Sequence, residues 1–387
     1  METYHNPFLH KIETKVKNIQ QKDGFLLVEL EDTIFYPGGG GQPHDKGIIK
    51  NENFHGEIDE VSKNNGKIIH KIKPAKGKLN QGDSVICEHD IERRLSLLRM
   101  HSGEHIFVGA LLKIIKDIKV EKINLREDES SLFVKCNNLT WEQIFKAERV
   151  ANQIIKEGRD IIVKDVSKEE AKNIKGLRIK LDRIKDEKIR IVEIKEHDVS
   201  ACAGVHALKT DFIGNFLVTK FNLIHGSYEI RFKTNISNEF FDYADIARKT
   251  ASIIKKDVTQ IPEFVENLIK DNEEKTSKLR ELSAKIADDF KQENINDINF
   301  IYNIFEGIEK KQLTDKANSF KKEKTVICFI NKIKDNSQII ITCSDDSGFK
   351  ANELLKSILE KFDGKGGGRE NFAMGAIKPD FCDKAIK

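Results

Sequence analysis

The sequence predicts an α+β protein of four parts: a small N-terminal β-barrel over residues 1–90, an α/β domain over 91–238, a helical linker over 239–291 and a glycine-rich C-terminal α/β domain over 292–387. Three observations predict it. The first ninety or so residues are short β-type runs divided by Gly and Asn turns, for which a small barrel is the simplest closure. From Ile91 to Ile115 apolar residues recur at helical spacing, and capped helices then alternate with strands. Finally, a long, charged helical stretch sets apart a last group of strands and helices.

In the first part, Phe25, Leu27 and Leu30 mark one strand and Thr33–Tyr36 another, followed by Pro37-Gly38-Gly39-Gly40-Gly41-Gln42-Pro43. Consecutive glycines cannot be packed core; they permit positive φ and close backbone approach to a ligand. A flexible hairpin loop is the plain alternative, and the flanking Phe-Tyr-Pro and Gln-Pro favour a shaped one. Further strands are expected at Gly56–Val61, Lys67–Ile72 and Ser84–Cys87, with turns at Asn64-Asn65-Gly66 and Gln81-Gly82-Asp83.

The long helix starts at Asp90, a suitable N-cap. Ile91, Leu95, Leu98, His101, His105, Val108, Leu112 and Ile115 then share one face. One core histidine would be satisfied by backbone carbonyls. Two of them, one turn apart, can converge on a single ion, and neutral imidazole is the commonest metal ligand. About a hundred residues later comes Cys202-Ala203-Gly204-Val205-His206. His101, His105, Cys202 and His206 together make the four N/S ligands that a tetrahedral zinc takes. Glu104 lies between the histidines. It is either a general base or, being off the apolar face, a solvent-side carboxylate.

Strands follow at Ser131–Cys136, Asp160–Val166, Lys188–Lys195, Gly214–Asn222 and Tyr228–Lys233. Thr140 with Gln143, and Ser167 with Glu170, form capping boxes opening helices that close at Gly158 and Gly176. Residues 239–290 read as helical, with Pro262 tolerated in a first turn. Phe264, Val265, Leu268, Leu279, Leu282, Ile286 and Phe290 form an imperfect seam. It suits a short coiled coil between domains or subunits, or a solvated helix pair. Beyond Asn294, strands fit Phe300–Phe305, Thr325–Ile330 and Gln338–Cys343, and helices fit Lys310–Lys322 and Lys350–Phe362. The loop Lys365-Gly366-Gly367-Gly368-Arg369 presents N–H groups and positive charge suited to phosphate or sugar. It is no P-loop, because no strand leads into it and no Lys-Ser/Thr follows.

Composition narrows the class. A chain of 387 residues, 39% hydrophobic and 33% charged, fits a soluble globular protein of two or three domains. A net charge of +3 means that nucleic-acid binding would have to be local. No apolar run of about eighteen residues predicts a transmembrane helix. The start lacks the apolar core of a signal peptide, so the cytoplasm is expected. None of the six cysteines forms a C-x-x-C pair, and no disulfide framework is expected.

Three separated motifs carry a resemblance. The run Thr33–Gly47, with Gly38, Gly39, Gly40, Gly41 and Gln42 inside it, resembles the glycine-rich motif of alanyl-tRNA editing proteins. His101–His105 and Cys202–His206 resemble that family's zinc half-sites. Lys365–Arg369, with Ala373 and Gly375, resembles the C-terminal (DHHA1-like) domain shared by alanyl-tRNA synthetases and DHH phosphoesterases. Order and spacing match the long form of the freestanding editing proteins, AlaX, and no adenylate-forming core is present. The resemblance implies that 91–238 is a zinc-binding editing domain and that the chain hydrolyses tRNA(Ala) mischarged with serine, and also with glycine. It implies zinc on His101, His105, Cys202 and His206, Thr33 near the amino-acid side chain and Gln42 beside the site. With Glu104, these are the catalytic candidates. Lys365, Gly366, Gly367, Gly368 and Arg369 would contact tRNA; from the seam itself, and not from the resemblance, the linker or the C-terminal domain offers a surface for a homodimer. The chain departs from the family in having Val205 where Thr is usual and Asp211-Phe212-Ile213-Gly214 for Gly-Glu-Ile-Gly. Two rivals remain from the residues themselves: a zinc metallopeptidase, because His101-Ser102-Gly103-Glu104-His105 matches H-x-x-E-H, and a non-catalytic tRNA-binding zinc protein.

Overall fold

The computed structural model describes residues 6–179, 188–286 and 290–386. The chain is α+β and divides into two compact units, Met1–Asp245 and Ile246–Lys387. None of its helices, among the described residues, is long and apolar enough to cross a membrane.

Strands β1 (Lys11–Lys22), β2 (Phe25–Leu30), β3 (Gly47–Asn51), β4 (Phe54–Asn64), β5 (Lys67–Gly77) and β6 (Ser84–His89) close an antiparallel barrel in the order β1-β2-β5-β4-β3-β6. The β1–β2 and β4–β5 hairpins turn on Asp23-Gly24 and Asn65-Gly66, all at positive φ as a type I′ turn demands. Strands β1 and β3 were not anticipated. Thr33–Tyr36, expected as a strand, is buried coil instead, because side chains take its backbone groups. The Phe35 N–H donates to Thr33 Oγ1 at 3.0 Å, the Tyr36 N–H donates to Asp45 Oδ2 at 2.6 Å, and Arg94 Nη2 donates to the Ile34 carbonyl at 2.9 Å.

Helix α1 (Ile91–Ile114) follows, with the Asp90 carboxylate accepting from the Arg93 N–H at 3.1 Å. Its expected single buried face is not what forms. From Leu97 to Leu111 every residue but Arg99 is buried, whereas Leu112 is exposed. A helix covered on all sides needs small residues where neighbours press closest. A Cβ at Gly103 would lie 2.9 Å from Thr234 Cγ2, and one at Gly109 would lie 2.8 Å from His197 Nε2. Glu104 is therefore only 1% exposed and is not a solvent-side carboxylate.

The packing around α1 comes from β7 (Lys119–Asn124), β8 (Ser130–Lys135), α2 (Trp141–Glu157), β9 (Ile161–Ser167), α3 (Lys168–Asn173), β10 (Lys188–Ile194), β11 (Asp198–Ala201), β12 (Phe216–Ile224) and β13 (Ser227–Thr234). They form sheets of order β12-β13-β8-β7 and β11-β10-β9. Both capping boxes are made, and Gly158 ends α2 at φ +64°. Helix α3 stops at Asn173, short of Gly176. Strand β11, not anticipated, delivers the chain to Cys202.

Helices α4 (Asn238–Ile254) and α5 (Ile261–Ile286) are joined by a 3₁₀ turn, with Pro262 in the first turn of α5. Val265, Leu268, Leu279 and Leu282 of the expected seam are exposed; the side chain of Ile286 and residues 287–289 lie outside the described residues. Phe290 is not helical and packs against Phe320, ring centroids 4.5 Å apart.

The rest is β14 (Lys291–Ile295), β15 (Ile298–Glu306), α6 (Lys310–Ser319), β16 (Thr325–Lys332), β17 (Ser337–Cys343), α7 (Ala351–Lys361), β18 (Lys365–Arg369), β19 (Phe372–Ile377) and α8 (Cys382–Ala385). The sheet runs β14-β15-β16-β17-β19-β18, with α6 and α7 packed into separate apolar clusters. Lys365–Arg369, expected as a loop, is an exposed edge strand. Glycine lets it lie close on β19, since a Cβ at Gly366 would fall 2.4 Å from Gly375 Cα and one at Gly368 would fall 2.3 Å from Ala373 Cα.

Within the barrel, His70 is wholly buried. Its Nδ1–H donates to the Val28 carbonyl at 3.0 Å, so Nε2 accepts from the Thr33 hydroxyl at 2.8 Å. Burial lowers its pKa to about 4, below the unfolded value of 6.5. The neutral ring's contribution is thus complete above about pH 6.5 and is lost as pH falls through 4, an effect of about 3 kcal/mol. Urea unfolding of wild type and His70→Gln should show their stability difference shrinking by about that amount between pH 7 and pH 4.

Candidate metal centre

Helix α1 supplies His101 and His105, and the segment after β11 supplies Cys202 and His206. The ligand atoms of all four lie within 4.8 Å of one another. Cys202 Sγ is 3.2 Å from His101 Nε2 and 3.3 Å from His206 Nε2. An N···S edge of about 3.6 Å would follow from the bond lengths of a tetrahedral zinc-type site.

The outer nitrogen of each ring is engaged. His101 Nδ1 lies 2.8 Å from Gln42 Oε1, which also accepts from the Val205 N–H at 3.0 Å. An amide oxygen only accepts, so the proton of His101 sits on Nδ1 and the Nε2 lone pair faces the sulfur. His105 Nδ1 lies 3.0 Å from Ser200 Oγ, and His206 Nδ1 lies 3.3 Å from Ser102 Oγ. These bonds fix ring orientation as they do around bound metals. Gly204 is required for packing: a Cβ there would lie 2.1 Å from His101 Cε1.

Electrostatics suit a cation. Burial pushes the Cys202 thiol up, but the His101 and His206 rings outweigh it and hold the thiol well below its usual range. Burial, with the neighbouring His101, keeps His206 well below its usual value. Burial would also lower His105, yet Asp198, Cys202 and Glu104 raise it to about 10. These surroundings favour a proton on His105, which a bound divalent ion would displace. Glu104 is pushed up by burial. Its Oε2 lies 3.7 Å from His105 Nε2, and its Oε1 has no hydrogen-bond partner among the described residues. Gln42 Nε2 is likewise buried without a partner.

The glycine loop brings Gln42 here. Gly38, Gly39, Gly40 and Gly41 are all at positive φ, and Gly39 and Gln42 exchange backbone hydrogen bonds of 2.9 and 3.0 Å around the Gly40-Gly41 turn. Gly41 presses on β7, where a Cβ would lie 2.7 Å from the Ile123 carbonyl oxygen. Thr33 is tied to His70 and Phe35 instead, and Lys365–Arg369 belong to the second unit. Sequence reasoning missed Ser102, Asp198 and Ser200. Asp198, Ser200 and Cys202 alternate as one strand face does, which is the signal that could have found the last two.

The chain has known relatives. Residues 5–93 match the family tRNA synthetases class II (A), and residues 297–387 match the DHHA1 domain. The chain is 27% identical to an alanyl-tRNA editing protein AlaX-L from Pyrococcus horikoshii, covering 97% of this chain and 94% of that protein. It is 29% identical to an alanine–tRNA ligase from Pyrococcus furiosus, where the match spans 97% of this chain but only 41% of the ligase. Among solved structures, the C-Ala domain of Aquifex aeolicus alanyl-tRNA synthetase matches 25% of this chain and 91% of its own length, at 28% identity and a TM-score of 0.24. The resemblance to alanyl-tRNA editing proteins is borne out by a match over 97% of the chain.

Three buried histidines and the half-buried Cys202, converging as N/S donors, fit one transition-metal ion. Elemental analysis of the purified chain should find about one equivalent, and Cys202→Ala should reduce it, because a four-ligand site loses its thiolate.

Proposed function

We propose that this chain, similar over almost all of its length to an AlaX-L editing protein, is an aminoacyl-tRNA deacylase that clears tRNA(Ala) mischarged with serine and, as a second substrate, glycine. The observation that carries the reading is the pair of unspent polar atoms, Gln42 Nε2 and Glu104 Oε1, buried beside the His101–His105–Cys202–His206 quartet. A structural metal site would have no use for either. Zinc is the ion that this donor set fits, and when bound it supplies a Lewis acid at the aminoacyl end.

The ester is already activated, so the site needs a held water and a stabilised oxyanion more than a strong nucleophile. Glu104, whose proton affinity burial has raised, takes a proton from the attacking water and returns it to the leaving ribose oxygen. The water oxygen bonds to the carbonyl carbon, the ester C–O bond breaks, and free amino acid and tRNA result. Gln42 Nε2 donates to the developing oxyanion. Thr33 gives its hydroxyl proton to His70, so it can offer a substrate only an acceptor lone pair. A serine hydroxyl can donate to it and alanine cannot, a difference that a polar pocket can amplify. A metallopeptidase of the H-x-x-E-H kind would need a further carboxylate ligand where this chain has Cys202 and His206.

Lys365 and Arg369 on β18 are proposed to contact the tRNA body. The exposed Leu268, Leu279 and Leu282 of α5 support a homodimer through the linker. With tRNA as its substrate, the protein is proposed to work in the cytoplasm.

Single-turnover deacylation of seryl-tRNA(Ala) and alanyl-tRNA(Ala) tests the reading. Glu104→Gln should slow seryl release by about 100-fold or more with metal content retained. Thr33→Val should slow it by more than about tenfold, roughly 1.4 kcal/mol, and shrink the serine-over-alanine ratio. No seryl release by wild type, alongside casein digestion abolished by chelator, would favour the peptidase instead. Charge reversal at Lys365 and Arg369 should weaken tRNA binding and lower its salt slope by about 2, leaving the chemical step unchanged.

A further inference from the structure

We infer that Asp198, held by Arg178, is a positioning residue that sets the metal quartet by acting through His105; the inference rests on the metal reading above. His105 differs from the other two ring ligands. The outer nitrogens of His101 and His206 meet an uncharged amide and an uncharged hydroxyl, whereas His105 Nδ1 meets Ser200 Oγ at 3.0 Å with Asp198 Oδ2 close by at 3.6 Å. At 3.6 Å the carboxylate is a charge facing the N–H rather than its direct hydrogen-bond acceptor. Both groups come from one face of β11, the face that leads on to Cys202. A single short strand therefore carries a ligand and the groups that orient a second ligand.

Arg178 keeps the carboxylate in place. Its Nε and Nη2 donate to Asp198 Oδ1 and Oδ2 at 2.8 and 2.7 Å, a two-pronged grip. The Arg178 backbone is itself bound to β11: its N–H donates to the Val199 carbonyl, and its carbonyl accepts from the Ala201 N–H, both at 2.9 Å. Guanidinium and carboxylate are thus fixed to the same strand, and Asp198 cannot swing inward to become a fifth ligand without breaking the grip. The hairpin is latched to α1 by His197, whose Nε2–H donates to the Ile106 carbonyl at 2.7 Å. Nothing else in the proposed chemistry uses Arg178 or Asp198, yet the carboxylate that Arg178 grips faces His105. Carboxylates placed behind ligating histidines commonly alter metal affinity by 10–100-fold.

The test measures zinc affinity by competition with a chromophoric chelator, and the visible spectrum of the cobalt-loaded protein. Asp198→Asn keeps the shape and removes the charge, and Asp198→Glu is the conservative restoration. Zinc affinity should fall by at least about tenfold in Asp198→Asn and recover in part in Asp198→Glu. Arg178→Lys keeps a cation but loses the grip, and should act in the same direction with a changed cobalt spectrum; it also serves should Asp198→Asn not fold. Paired with His105→Gln, Asp198→Asn should have no further effect on affinity, whereas paired with His206→Gln its effect should persist. A merely structural role would show in both pairings. A wild-type chain that binds no zinc overturns the metal reading and this role with it. A wild type that binds tightly, with Asp198→Asn and Arg178→Lys within twofold of it, overturns the positioning role alone.

Discussion

The buried pair Arg94–Asp45 is the contact on which the site depends. Neither side chain reaches solvent. Arg94, in the first turn of α1, donates to both oxygens of Asp45 and to the Ile34 and Pro7 carbonyls. Asp45 in turn accepts from the Tyr36 N–H, and its own N–H donates to the Tyr36 carbonyl. Next to it, Arg93 donates to the His44 carbonyl. The two ends of the glycine loop are therefore held by the start of the helix that carries His101 and His105. Truncating one member of such a pair typically costs 3–5 kcal/mol, because the other charge is left buried and alone. The interaction is expensive to build, and what it achieves is registry: Gln42, on a barrel loop, arrives at a ring on α1.

From that registry the polarity of the site follows. Gln42 accepts from His101 Nδ1–H and so leaves that ring's lone pair on the inner side, Ser102 and Ser200 orient His206 and His105, and the surrounding rings hold the Cys202 thiol well below its usual range. Val205 shows how economically this is done. Its side chain packs with Tyr36 and Leu98, while its N–H helps to hold Gln42. The backbone serves the site whichever side chain occupies that position, so a valine there leaves the Gln42 contact intact.

What was legible in the sequence was whatever depends on spacing along the chain. The quartet was visible because i,i+4 on a helix and Cys-x-x-x-His after a strand are local patterns, and both capping boxes form for the same reason. What was not legible depends on partners far away. Thr33–Tyr36 has the residues of a strand, but its hydrogen bonds go to Asp45 and Arg94, which no local pattern announces. The stripe on α1 reads as one buried face if a helix is assumed to keep a wet side; Ser102, Gly103, Gly109 and Ala110 are the sign that it keeps none over that stretch. Strands β1 and β14 carry so many charged or polar residues that alternation is blurred, and all five residues of β14 are exposed. Glycines at 366–368 argued against a strand; the small residues Ala373 and Gly375 opposite them make it one.

The glycine strand β18 has a consequence for how copies of the chain meet in a crowded solution. A bare, flat sheet edge is a template for another strand, and glycine does nothing to blunt it. Here the run is symmetric, with a cation at each end and Gly367 at its centre. Two copies aligning antiparallel about Gly367 would bring Lys365 of each against Arg369 of the other, and like charges directly opposite repel. The same two cations that suit the strand to a polyanion therefore keep it from growing into a continuous intermolecular sheet.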